Sequence, residues 1–117
     1  MRVIARGTLN DFVKNRVPHC LQKTVKDHLD AWYAEAANAA LKNSAELKRQ
    51  YSSASVVSSE RVVFNIKGND YRLLVAISYH YQVLLIIWLG THKEYDQIDA
   101  EKVKYDKRRY TGPSHSD

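Results

Sequence analysis

Between Arg61 and Gly90 three apolar runs follow one another so closely that only antiparallel pairing can join them. Arg61–Ile66 and Tyr71–Tyr79 are separated by Lys67-Gly68-Asn69-Asp70, and Gln82–Gly90 follows after His80 and Tyr81 alone. A parallel crossover needs about a dozen residues or more, whereas hairpin loops need only a few. Gly68 and Asn69 both accept positive φ, which suits the first turn. His80-Tyr81 carries no such residue. In the second run Tyr71, Leu73, Val75, Ile77 and Tyr79 share one face, and Arg72, Leu74, Ala76 and Ser78 the other. The third run is apolar on both faces, the pattern of an inner strand covered on both sides.

The first fifty residues read as helices. Thr8 with Asp11 suggests an N-cap, and Leu9, Phe12, Val13 and Val17 fall on one helical face that Pro18 closes. Leu21, Val25, Leu29, Trp32, Ala36 and Ala40 form a 3.6-period stripe, predicting a long helix over 18–40. Asn43 with Glu46 opens a shorter helix that runs to about Tyr51. Ser52–Ser59 reads as a loop, Val3–Ala5 as an edge strand beside the sheet, and Tyr95–Lys102 as a short helix. The expected fold class is therefore α+β, with N-terminal helices packed on a small antiparallel sheet and a short C-terminal helix. Residues 1–110 are expected to form one domain and 111–117 a disordered tail.

Eighteen Lys and Arg against 13 Asp and Glu leave a net charge of +5, a bias toward polyanionic partners. A lone cysteine, Cys20, allows no internal disulfide and is expected to be buried, so a cytoplasmic location is expected. The longest apolar run, Val83–Leu89, is too short to span a bilayer, and Met1–Leu9 carries Arg2 and Arg6 without the apolar core of a secretory leader. No membrane partner is expected.

Strand register brings distant residues together. Ile66 facing Tyr71 puts Asn65 opposite Arg72; Tyr79 facing Gln82 puts Arg72 opposite Leu89 and Asn69 level with His92. Asn65, Asn69, Arg72, Thr91, His92 and Lys93 should thus gather at one end of the sheet. The group has no Ser or Cys nucleophile with a positioned base. A guanidinium can hold a phosphate through two hydrogen bonds, and an imidazole can move protons near neutral pH. That combination suits RNA cleavage, in which the substrate's own 2′-hydroxyl attacks. No cofactor is expected, and His92 with Asp96 lacks the further ligands a metal would need.

Plainer readings stand beside these. Arg72 could be a solvent-facing partner of Asn65 or pair with Asp70, and Asn69 could serve turn geometry. Tyr95 could anchor the core, and Glu94 and Asp96 suit the first turn of a helix. Lys102, Lys104, Lys107, Arg108 and Arg109 interleave with Tyr105 and Tyr110. This segment either grips RNA phosphates while its rings stack, or is a frayed terminus.

The stretch Arg61-Val-Val-Phe-Asn-Ile-Lys-Gly-Asn-Asp-Tyr-Arg-Leu-Leu-Val75, followed by Gly90-Thr-His-Lys-Glu-Tyr-Asp96, resembles the HigB family of bacterial toxins. Ser53-Ala-Ser55 and Ile98-Asp-Ala100 extend the likeness over about residues 53–103, while the N-terminal helices carry no specific match. The resemblance implies a RelE-like α+β fold and a ribosome-dependent mRNA endonuclease. It also implies a HigA-type helix-turn-helix antitoxin, with operator DNA reached only through that partner. It puts functional weight on Asn69, Arg72, His92, Lys93 and Tyr95. Two other classes remain: a basic RNA- or ribosome-binding module that blocks translation without cutting, and a co-repressor that acts only with its antitoxin.

Overall fold

The computed structural model describes residues 1–111. In chain order these form β1 (Arg2–Ile4), α1 (Arg6–Arg16), a 3-10 turn (His19–Leu21), α2 (Gln22–Asn38), α3 (Ser44–Gln50), β2 (Ser55–Ser58), β3 (Arg61–Ile66), β4 (Tyr71–Ser78), β5 (Val83–Thr91), α4 (His92–Tyr95) and α5 (Arg108–Thr111). The disordered tail expected over 111–117 lies, from residue 112 on, outside the described residues.

The sheet runs β1-β5-β4-β3-β2. β3, β4 and β5 form the expected meander, and Asn65 faces Arg72 as the first hairpin required. Positive φ falls on Lys67 (54°) and Gly68 (66°), not on Asn69. The second hairpin departs from expectation. Its loop takes four residues, Tyr79 to Gln82, with Gln82 at φ 56°. The Gln82 amide donates to Leu41 and Tyr79 carbonyls at 2.6 and 2.7 Å, tying the loop to the chain after α2. The pairing then slips by one. Val75 faces Ile86 but Leu74 faces Trp88, so Ile87 is bulged out and Arg72 faces Gly90 instead of Leu89. A bulge lets two successive residues share one face, and Ile87 and Trp88 both enter the same core cluster.

Two edge strands complete the sheet. β1 pairs in parallel with β5, so the sheet is mixed, not purely antiparallel. The Ser-rich stretch read as a loop supplies β2, which pairs antiparallel with β3. Val56 and Val57 are β-branched at its centre, and pairing satisfies the otherwise open edge of β3.

One face of the sheet carries the larger core. Leu9, Phe12 and Val13 of α1 and Val25, Leu29, Trp32 and Ala36 of α2 bury against Phe64, Ile66, Leu73, Val75 and Ile86. Three helical expectations need correction. Thr8 is not a cap: α1 begins at Arg6, and buried Thr8 shares a hydrogen bond with the Tyr105 hydroxyl at 3.2 Å. α2 stops at Asn38, so Leu41, not Ala40, reaches the core. Cys20 sits exposed on the 3-10 turn, because Pro18 breaks the helix before its stripe begins. Asn43 caps α3 as expected, accepting from the Glu46 amide at 2.9 Å.

The opposite face buries Val63, Leu74, Ile87 and Trp88 beneath Tyr95, Ile98, Ala100 and Val103. The helix expected over Tyr95–Lys102 is replaced by α4, one turn earlier, and by turns. Arg61 fixes these turns by donating to the Ala100 and Val103 carbonyls at 2.9 and 2.7 Å. β1 accompanies β5 only at Val83–Leu85. Farther along that edge α5 takes over: the Leu89 amide donates to the Tyr110 hydroxyl at 2.9 Å, and Arg109 donates to the Leu89 carbonyl. α5 is thus a packed edge cover, with Tyr110 fully buried.

Candidate active-site cleft

α4 starts where β5 ends, and its first turn is capped from both sides. The Thr91 hydroxyl accepts from the Glu94 amide at 3.1 Å, and the Glu94 carboxylate accepts from the Thr91 amide at 2.9 Å. This box aims His92 and Lys93 off the end of the sheet. The His92 amide donates to the Asp70 carbonyl at 3.0 Å, locking α4 to the β3–β4 turn. Between them lies an open cleft of about 540 Å³ lined by Asn69, Asp70, Thr91, His92, Lys93 and Asp96.

Arg72 stands beside this cleft, in contact with two of the residues that line it, Asn69 and His92. One guanidinium nitrogen donates to the Asn69 and Tyr71 carbonyls at 3.0 and 3.4 Å; the other lies 3.4 Å from His92 Nδ1. A guanidinium has no lone pair to offer, so a hydrogen bond there requires Nδ1 as the acceptor and leaves the ring proton to Nε2. That nitrogen lies 3.7 Å from an Asp96 carboxylate oxygen. The plainer alternative, an Arg72–Asp70 ion pair, does not form. Asp70 pairs with Lys67 at 2.8 Å, and Lys67 holds the Asp70 carboxyl below the ordinary carboxylate value.

The other expected residues divide. Asn69 and Lys93 line the cleft. Asn65 faces Arg72 across the ladder, but its amide turns to the Ser53 carbonyl at 3.3 Å, away from the cleft. Tyr95 is half-buried against Trp88, with ring centroids 5.9 Å apart. Burial raises its phenol above the ordinary value, against the opposing charge of Arg72, so it stays protonated at neutral pH. Lys102, Lys104, Lys107 and Arg108 are exposed, and Arg108 folds back onto Asp106 at 3.3 Å.

Arg109 does not join those exposed cations. Its side chain retains 21% of its accessible surface, lies 4.9 Å over the Trp88 ring and pairs with Glu94 at 3.2 Å. Its position in a basic run suggested an RNA contact; the unpaired edge of β5 captures it instead. Gly90 makes room for this packing, since a Cβ there would lie 2.5 Å from Trp88 and 2.7 Å from the Arg109 guanidinium.

Glu94 has more partners than its helix-start position suggested. Besides the Thr91 amide it takes Arg109 and, at 2.9 Å, Arg16 of α1. Burial alone would raise its carboxyl; the Thr91 hydrogen bond and the two arginines outweigh this and hold it below the ordinary value. The Thr-x-x-Glu spacing signals the capping box, but nothing local signals partners so far away in the chain.

The HigB toxin family, described as the RelE-like toxic component of a toxin–antitoxin system, matches residues 25–98. The match reaches back into α2, beyond the stretch spanned by the motifs, and includes every residue lining the cleft. No curated protein matches the chain.

Proposed function

Since the chain belongs to the HigB toxin family of RelE-like toxic components, with an antitoxin as the implied partner, we propose that it is a ribosome-dependent mRNA endonuclease. The observation that carries this reading is the contact between Arg72 and His92, a residue that lines an open cleft. Arg72 binds the scissile phosphate and, with Lys93, stabilises the charge of the phosphorane. The RNA 2′-hydroxyl attacks phosphorus as the bond to the 5′-oxygen breaks, leaving a 2′,3′-cyclic phosphate and a 5′-hydroxyl. His92 moves the proton at one of those oxygens, with an Asp96 carboxylate oxygen 3.7 Å from its Nε2. Asn69 orients the backbone, and protonated Tyr95, packed on Trp88, serves as a hydrogen-bond donor. The mechanism requires no metal and no cofactor. The partner that silences it is a HigA-type helix-turn-helix antitoxin, through which alone the chain meets operator DNA.

The exposed Lys102, Lys104, Lys107 and Arg108 favour a second reading, a basic module that binds ribosomal RNA and blocks translation without cutting. Ribosomes programmed with a defined message separate the two. Wild-type protein should produce 5′-hydroxyl ends in the A-site codon, in chelator as well as without it. Arg72→Ala and His92→Gln should bind ribosomes yet leave the message whole. If both variants arrest translation as well as the wild type does, cleavage is not the activity. Expressed without its antitoxin, the chain should slow growth; a pure co-repressor would not.

No helix among the described residues is long and apolar enough to cross a membrane.

A further inference from the structure

The basic segment after α4 holds one aromatic ring that joins neither core cluster. Tyr105 retains 42% of its accessible surface, although it ends a continuous stack of planar groups. The stack begins at buried Trp88. The Arg109 guanidinium lies 4.9 Å from the centre of the Trp88 ring and 5.7 Å from that of Tyr110. Tyr110, fully buried, is in turn stacked on Tyr105, with centroids 5.9 Å apart and ring planes 12° from parallel. Rings at such separations attract one another in offset stacks. Arg109 and Tyr110 each meet two planar groups; Tyr105, among the described residues, meets one. Its hydroxyl shares a hydrogen bond with buried Thr8 of α1 at 3.2 Å. The ring is thus pinned at its tip and on its inner face, and its open side lies toward solvent. A ring fixed in advance loses little freedom when something stacks on it.

Charge decides what stacks there. Lys104 precedes the ring and Lys107 follows it two residues on; both are exposed, and neither has a carboxylate partner among the described residues. Asp106, between them, is taken by Arg108 at 3.3 Å. The ring therefore sits between two cations that await anions. An unpaired nucleotide offers both parts at once, a planar base and phosphates on either side, whereas a duplex keeps its bases inside. We propose that Tyr105 is a stacking platform for an unpaired base of single-stranded RNA, with Lys104 and Lys107 on the flanking phosphates. Every base has a π face, so the platform grips a strand without reading its sequence. Tyr110 is buried and Arg109 is held by Glu94, so neither competes for the strand. The platform goes beyond message cleavage and beyond a purely electrostatic grip, and it stands whether or not the cleft cuts.

An oligoadenylate whose 2′-hydroxyls are methylated cannot be cut by 2′-hydroxyl attack and serves as the probe. It is titrated into the full chain while the tyrosine ring protons are followed by NMR, with Tyr105→Phe identifying those of Tyr105. The Tyr105 signals should move. Tyr105→Leu should weaken binding about five- to a hundredfold, the effect of losing one stacked base, and Tyr105→Trp should keep it. Replacing Lys104 and Lys107 together by alanine should flatten the salt dependence by about two phosphates. An abasic strand of equal length should bind wild type and Tyr105→Leu alike. If the Tyr105 signals stay still at saturation, or the abasic strand binds wild type as tightly as oligoadenylate does, the platform falls; both measurements use wild-type protein and hold even if Tyr105→Leu unfolds. On programmed ribosomes, a base protected by wild type and left open by Tyr105→Leu identifies the strand as message or ribosomal RNA, and the absence of any such base overturns the platform. Oligoadenylate binding by a protein that cuts no message would remove the nuclease reading and leave the platform in place.

Discussion

Arg72 and Arg109 approach the same short stretch of β5 from its two edges, and they do opposite things there. Arg72 comes from β4, opposite Gly90, and spends its donors on turn carbonyls and on His92 beside a cleft. Arg109 comes from α5 and spends its donors on the Leu89 carbonyl and Glu94 beneath the surface. One guanidinium is positioned beside open space, the other is consumed by architecture. The cleft end is built wholly from residues inside the family match, whereas Arg16, Arg109 and Tyr110, which brace it, lie outside that match. A basic residue in a basic run is therefore no guide to its role until its partner is known.

Exchanging the two arginines' fates tests this contrast most strongly. Arg72→Ala should lower message cleavage about a hundredfold or more, as loss of a charge-stabilising donor does, with its urea midpoint near that of the wild type. Arg109→Ala should do the reverse, costing about 1–3 kcal/mol of stability because Glu94 and the Leu89 carbonyl lose a partner, with ribosome contacts kept. Should Arg109→Ala abolish cleavage in a protein of unchanged stability, the division is wrong. Gly90→Ala comes next. Its Cβ would drive into Trp88 and Arg109, and crowding of that kind costs about 1–3 kcal/mol in urea unfolding.

Tyr110→Phe is a finer probe of the same edge. Phenylalanine fills the fully buried site but leaves the Leu89 amide unpaired, a loss of about 1–2 kcal/mol. The smallest effect concerns acid. Glu94 titrates below its ordinary value of 4.5 when folded, so its contribution is complete above that pH and fades as pH falls through the folded value. The stability gap between wild type and Glu94→Gln should therefore be constant near neutrality and close in acid. A gap that widens in acid contradicts the brace.

The difference between these regions also marks how far residues alone could be read. The β3–β4 register followed from its turn, because Gly68 and its neighbours leave few ways to close four residues. The β4–β5 register slipped by one because Leu84 to Leu89 is apolar throughout, and a run without alternation hides a bulge at Ile87. Serine content masked β2, where Val56 and Val57 and the open edge of β3 mattered more. At the cleft, register alone brought Arg72 to His92 despite the slip, since one residue of displacement barely alters which strand ends meet. It could not reveal that Asn65 turns away, nor that Arg109 turns in. Those outcomes depend on Ser53, Leu89 and Glu94, and side-chain partners are chosen by the assembled surface.

The handover along β5, from β1 at Leu85 to α5 at Leu89, has a temporal meaning. During synthesis the whole meander and α4 exist before Arg109 and Tyr110 have been joined to the chain. Until they arrive, Glu94 has only the Thr91 amide and Arg16 to hold it, and one strand edge still faces water. A growing polypeptide thus carries every group of the cleft while still lacking the Arg109–Tyr110 brace, and a turn made later is the one that sets them firm.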